Sequence, residues 1–201
     1  LRLKTPYIKH SPLKNWCNDP NGLVFFNGKY HAFYQFNPEG NNWGHMSWAH
    51  AVSTDLIHWE NQPLAIPEGN EMIFSGSIVV DQENLAGFGK NAFIAIYTAD
   101  YHGTKQTQDL AYSIDEGLTW KKYENNPILS APLSENGFEA ENKDFRDPNL
   151  FWHNESNKWI MTVAKPLDFS VHFYGSQNLK DWTYLSKFEK KGDTTKIWEC
   201  P

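Results

Sequence analysis

Trp16-Cys17-Asn18-Asp19-Pro20-Asn21-Gly22 runs straight into Leu23-Val24-Phe25-Phe26, and the chain returns to this pattern twice. Asp147-Pro148-Asn149 repeats its middle three residues ahead of Leu150-Phe151-Trp152, and Trp198-Glu199-Cys200-Pro201 sets another acid ahead of a proline. Each acid stands just before, or at the start of, a segment that reads as a strand. Taken alone, an Asp-Pro-Asn stretch is turn composition, and a residue before proline is pushed towards extended backbone. Three acids in one placement ask for more than a turn. A carboxylate repeated at the same point of a repeated unit is how distant acids come to share a pocket.

Outward from this stretch the pattern is that of short strands. Asn27-Gly28 between Leu23–Phe26 and Lys29–Phe36 is a strong hairpin signal, with His31, Phe33 and Gln35 on one face of the second strand and Tyr30, Ala32, Tyr34 and Phe36 on the other. Strands at Trp48–Ser53 and Ile57–Glu60 complete a set of four. Ser77–Val80, Phe93–Thr98, Leu110–Ser113 and Leu118–Tyr123 form a second set, and Leu150–His153, Lys158–Ala164, Val171–Ser176 and Trp182–Leu185 a third. Residues 1–15 read as an extended lead-in.

A serine-to-tryptophan motif marks the turn from third to fourth strand in every set: Ser53 to Trp59, Ser113 to Trp120, Ser176 to Trp182. The serines are 60 and 63 residues apart. Four-strand units at a steady period predict an all-β fold, a β-propeller, and no segment carries sustained helical periodicity. The first strand of each blade lines a propeller's axis, so Asp19, Asp147 and Glu199, although 128 and 52 residues apart, converge on one funnel. The second unit opens instead with Phe74-Ser75-Gly76-Ser77.

Composition narrows the function. A net charge of -6 offers no basic stripe to follow nucleic-acid phosphates, and no apolar run is long enough to span a membrane. The N-terminus lacks a signal peptide's apolar segment, which leaves either a cytoplasmic protein or a chain whose signal has been removed. Cys17 and Cys200 make neither a disulfide framework nor a zinc spacing; they are small buried hydrophobes or near neighbours in space. The eight histidines show no metal pattern, so no metal is expected. Nine Trp, nine Tyr and thirteen Phe suit a β core and are compatible with a sugar ligand.

Five short motifs in order resemble glycoside hydrolase family 32, the β-fructofuranosidases that include invertases, exo-inulinases and levanases. They are Asn18-Asp19-Pro20-Asn21-Gly22, Tyr34-Gln35-Phe36-Asn37-Pro38, Phe74-Ser75-Gly76-Ser77, Phe145-Arg146-Asp147-Pro148 and Glu199-Cys200-Pro201. The resemblance implies Asp19 as nucleophile, Glu199 as general acid/base and Asp147 as transition-state stabiliser, with Asn18, Gln35, Trp43, Phe74, Ser75 and Arg146 holding the sugar. It implies a five-bladed propeller, with blades near residues 16–70, 71–140 and 141–196 and the start of a fourth at 197–201. Further blades and a C-terminal β-sandwich are expected to follow. Residues 1–201 alone are then expected to be insoluble or inactive, because an unclosed propeller leaves strand edges open. Cys17 in place of a common Met and Ala49 in place of a common Gly depart from the family pattern, and neither is one of the acids.

The chemistry suits these residue types. Retaining glycosidases use one carboxylate to attack and one carboxylic acid to protonate the leaving oxygen. Asp19 and an enclosed aromatic setting would raise the pKa of Glu199, while Arg146 would hold Asp147 ionised. Trp43 could instead be a packed core tryptophan, and Gln35 a channel residue satisfied by water. The reading is a retaining β-fructosidase without cofactor, acting on a fructoside and expected in a secreted or periplasmic location, with a cytoplasmic one open. A fructosyltransferase would share every residue quoted. A non-catalytic sugar-binding propeller would need no nucleophile. The sialidase-like Ser113-x-Asp-x-Gly-x-Thr-Trp120 is read as a blade turn, since only Arg2 and Arg146 are present to grip a substrate carboxylate.

Overall fold

In the computed structural model, residues 14–132, 143–189 and 196–201 are described; the lead-in expected before residue 14 lies outside them. Among the described residues thirteen strands form three consecutive antiparallel sheets, the blades of a β-propeller. The first contains β1 (Cys17–Phe26), β2 (Lys29–Phe36), β3 (Ser47–Ser53) and β4 (Glu60–Asn61) in that spatial order. The second contains β5 (Met72–Asp81), β6 (Ala92–Asp100), β7 (Gln106–Ser113) and β8 (Lys121–Lys122), with β9 (Leu129–Ser130) also pairing with β7. The third contains β10 (Arg146–His153), β11 (Lys158–Lys165), β12 (Ser170–Ser176) and β13 (Thr183–Glu189). The helical content among the described residues is a single 3-10 turn at Pro166–Asp168.

The innermost strands begin earlier than their apolar runs predict. β1, β5 and β10 take in Asn18-Asp19-Pro20, Phe74-Ser75 and Asp147-Pro148, and each breaks register at that point. Bulges let a strand admit residues that cannot sit in a regular ladder, prolines included, and they re-aim side chains. The Asn27-Gly28 hairpin forms as expected, with φ of 47° and 77°, the left-handed pair that a tight two-residue turn requires.

The inner strands lie close together because small residues allow it. β5 packs beside both β1 and β10. A Cβ on Gly76 would lie 2.2 Å from Ile96 O, and one on Gly22, whose φ is 52°, would lie 2.6 Å from Ile78 Cδ1. Between blades one and two, Phe33 and Trp48 pack with Ile73, Phe93 and Tyr97. Between blades two and three, Ile94, Ile96 and Leu110 pack with Phe145, Leu150 and Met161. β6 is buried along its whole length, with Phe93, Ala95 and Tyr97 facing one core and Ala92, Ile94 and Ile96 the other. That division is the period of two in a strand covered on both faces. Trp48 is fully buried and donates its Nε1–H to Phe74 O at 3.0 Å, tying the first core to the strand that carries Ser75.

The serine-to-tryptophan motif is a turn device. Ser53 Oγ accepts from Asp55 N and Leu56 N at 3.2 and 2.8 Å, and Asp55 Oδ1 accepts from Ile57 N and His58 N at 2.8 and 2.7 Å. The tryptophan indoles close the three turns, donating to Leu56 O, Gly117 O and Leu179 O at 3.2, 3.0 and 3.1 Å. These turns use residues that sequence patterning gives to outer strands. Accordingly β4 is Glu60–Asn61, not Ile57–Glu60, and β8 is Lys121–Lys122, not Leu118–Tyr123. β13 departs the other way and runs on to Glu189.

Candidate active site

Asp19 on β1, Ser75 on β5 and Asp147 on β10 meet at one end of the inner strands, where Glu199-Cys200-Pro201 lies against β10. Cys200 N donates to Asp147 Oδ2 at 3.0 Å, and Asn149 Nδ2 donates to Pro201 O at 3.1 Å. The resulting cavity holds about 730 Å³, and its wall includes Asp19, Asp147, Glu199, Asn18, Gln35, Trp43, Phe74, Ser75 and Arg146. All nine residues singled out from sequence therefore share one space.

Four of them form a directed chain of hydrogen bonds. Trp16 Nε1 donates to Asn18 Oδ1 at 2.8 Å, Asn18 Nδ2 to Gln35 Oε1 at 3.0 Å, Gln35 Nε2 to Ser75 Oγ at 2.7 Å, and Ser75 Oγ to Asp19 Oδ2 at 2.8 Å. An indole N–H can only donate. It fixes the orientation of the Asn18 amide, which fixes that of Gln35, which leaves the Ser75 hydroxyl proton for Asp19. Gln35 is buried, and side chains bond both ends of its amide. Trp43 is 54% exposed and meets Phe74 edge-on at 5.9 Å, which makes it an aromatic wall of the cavity and not a core residue.

The arginine and the acids depart from expectation. Arg146 was expected to hold Asp147 ionised, but its guanidinium reaches elsewhere. Nη1 pairs with Asp144 Oδ1, while Nε and Nη2 both reach Glu199 Oε1, at 3.0 and 2.9 Å. Asp147 is buried, and desolvation pushes its carboxyl above the ordinary value. The Cys200 N–H and the Arg146 charge pull it down, while Glu199 and Asp19 push it up. Its backbone φ is 61°, a left-handed conformation that aspartate tolerates better than most residues. The Glu199 side chain is 46% exposed among the described residues.

The cysteines are not a buried pair. Cys17 is half-buried against the Tyr34, Ala49 and Ala51 cluster. Cys200 is exposed at the cavity wall, where partial desolvation and the charges of Asp147 and Asp19 push its thiol up to about 11. Among the described residues no group of three or more His, Cys, Asp and Glu side chains is arranged to hold a metal ion.

Sequence reasoning missed the layer behind the acids. Gln106 Oε1 accepts from Phe145 N at 2.9 Å, and Gln108 Nε2 donates to Phe145 O at 2.7 Å. Asp147 N donates to Thr98 Oγ1 at 3.0 Å. The available signal was Gln106 and Gln108 at alternate positions of a strand buried at every residue but Tyr112, where a polar side chain must find a partner. Asp144, Asp100 and His102 also line the cavity and were not anticipated.

Residues 10–201 match the sequence pattern of the glycosyl hydrolases family 32 N-terminal domain. An extracellular exo-inulinase of Aspergillus awamori is 44% identical over 213 residues, covering 95% of this chain and 39% of that protein. A levanase of Bacillus subtilis (strain 168) is 46% identical over 201 residues, covering 98% of this chain and 28% of that protein. The crystal structure of the Aspergillus awamori exo-inulinase aligns with a TM-score of 0.88 at 44% identity, over 95% of this chain and 41% of that one. The chain thus spans less than half the length of each of these relatives. A pattern matched from residue 10 to residue 201, on blades that align this closely, means that the chain belongs to glycosyl hydrolase family 32.

Proposed function

We propose that this chain carries the catalytic pocket of a retaining β-fructofuranosidase, which releases terminal β-D-fructofuranosyl units from sucrose or fructans such as inulin and levan. The observation that carries the reading is the directed chain from Trp16 to Asp19, which ends on a carboxylate sharing one cavity with two further acids. Ser75 donates to Asp19 Oδ2, which leaves Oδ1 to attack the anomeric carbon. The bond to the leaving oxygen breaks as Glu199 protonates that oxygen, and the sugar is left as an ester on Asp19. Because Arg146 occupies Glu199 Oε1, Oε2 is the oxygen that carries the proton. In the second step Glu199 takes a proton from water, the hydroxide attacks the anomeric carbon, and Asp19 leaves.

Asp147 neither attacks nor protonates in this scheme. It accepts hydrogen bonds from sugar hydroxyls as charge builds on the ring. Trp43 and Phe74 offer apolar faces to the ring. The names exo-inulinase and levanase carried by its relatives support a fructoside substrate, and the extracellular exo-inulinase supports a secreted protein. The test is sugar release by the full-length protein from sucrose, inulin and levan, with and without Asp19→Asn. The wild type is expected to release fructose and the variant to lose turnover while still binding sugar. A wild type inactive on all three, or a variant that keeps near-normal turnover, would overturn the proposal.

A further inference from the structure

Asp144 lies two residues before Arg146, and the intervening Phe145 is fully buried, with both backbone polar groups held by Gln106 and Gln108. That clamp fixes both flanking side chains on the cavity wall. Arg146 Nη1 faces Asp144 Oδ1, with Gln106 Oε1 at 3.4 Å, while the Nε and Nη2 edge is turned to Glu199. Asp144 and Arg146 are mostly buried, with side-chain exposures of 19% and 13%, whereas the Glu199 side chain is 46% exposed. One cation therefore serves two carboxylates, and the less exposed of them has no role in the scheme above.

We propose that Asp144 is a positioning residue that shares the charge of Arg146, so that Glu199 is held in place by the guanidinium without being locked in its ionised form. The inference rests on the β-fructosidase reading, because it concerns the proton that Glu199 must deliver. An arginine facing Glu199 alone would favour the carboxylate strongly. With Asp144 present, part of the guanidinium's charge is already offset at its Nη1 edge, which weakens its pull on the Glu199 carboxylate. Burial pulls the Arg146 pKa down, but its bonds to Asp144 and Glu199 outweigh this and it is held above its ordinary value. The cation is therefore permanent. Other groups facing the same space are Asp19 from β1, Asp100 at the end of β6 with His102 after it, Lys143 before β10, and Asp147 and Cys200. None of these contacts the guanidinium in the way Asp144 does.

The experiment is the pH dependence of kcat/KM on a fructan, measured with the full-length enzyme for wild type and for Asp144→Asn, Asp144→Ser and Asp144→Glu. Both charge-removing variants are expected to move the alkaline limb to lower pH by about one unit, while the acid limb stays in place. Asp144→Glu, which restores the charge, is expected to return the limb towards wild type. On a fructoside with a strongly acidic leaving group, which needs no protonation, the charge-removing variants are expected to lose little activity at any pH. Either charge-removing variant suffices should the other fail to fold. Alkaline limbs that superimpose on wild type would overturn the proposal, as would a shift in Asp144→Glu equal to that in Asp144→Asn, which would indicate packing and not charge. A wild type that releases no fructose would remove the underlying reading itself, which separates that failure from this one.

Discussion

Asp109 is a buried carboxyl on β7, 3% exposed, with Thr107 Oγ1 donating to it at 2.8 Å. Desolvation raises its pKa from 3.8 to about 6; the Thr107 bond and the charges of Lys122 and Lys105 offset only part of this, and Glu71 adds to it. A rise of about two units is worth about 3 kcal/mol at 1.36 kcal/mol per unit. Because the folded pKa lies above the unfolded one, the folded state binds more protons between these values, and stability falls as pH rises through that window. The penalty is absent below the unfolded value of 3.8 and complete above about 6. Asp109→Asn removes the ionisation and keeps an oxygen to accept from Thr107. Residue 109 lies opposite Tyr97 in the β6–β7 pairing, and the buried Tyr97 hydroxyl has no hydrogen-bond partner among the described residues. In the full-length protein the variant is expected to be more stable at about pH 7.5 by up to about 3 kcal/mol. At about pH 4 it is expected to match wild type. Thermal melts of both proteins at the two pH values check this. Equal shifts at both pH values, or a loss at pH 7.5, would refute the desolvation argument.

Three further outcomes concern the cavity. Asp147→Asn is expected to lower kcat far more than it raises KM, since in the proposed scheme the carboxylate acts on the developing charge. Because burial raises the pKa of Asp147, the wild-type rate is expected to fall on the acid side at a higher pH than an ordinary carboxylate would give, which a kcat–pH profile reads directly. Gln35→Leu cuts the chain that orients the Ser75 hydroxyl. Leaving the Asn18 amide and the Ser75 hydroxyl without Gln35 costs about 1–3 kcal/mol, which corresponds to a drop of roughly 5–150-fold in kcat/KM, with secondary structure unchanged by circular dichroism. A kcat/KM within a factor of two of wild type would mean that the chain does not orient Asp19.

The sequence made the blades legible because their signals are local. Asn27-Gly28 fixes a hairpin by its φ preferences alone, and the serine-to-tryptophan motif is satisfied within seven or eight residues. The convergence of Asp19, Asp147 and Glu199 followed from strand placement in a repeated unit. What did not follow was set by partners distant in the chain. Arg146 neighbours Asp147 in sequence, yet alternation along a strand sends adjacent side chains to different places, and the guanidinium reaches Asp144 and Glu199 instead. The outer strands were misjudged because Ile57 and Leu118 look like strand residues while the turn uses the backbone around them. Gln106 and Gln108 bear on the site through Phe145, 39 and 37 residues away, and Gln106 also through Arg146, relations that no local pattern carries.

The central claim is that Asp19 attacks the sugar, forming and then losing a covalent bond, so the anomeric centre is inverted twice. The most direct measurement is NMR of the first fructose released from a β-fructoside by the full-length enzyme, recorded before mutarotation scrambles the anomers. The account predicts β-D-fructofuranose as the initial product. An initial α-anomer would mean that water attacks in a single displacement, and would remove Asp19 from the role of nucleophile.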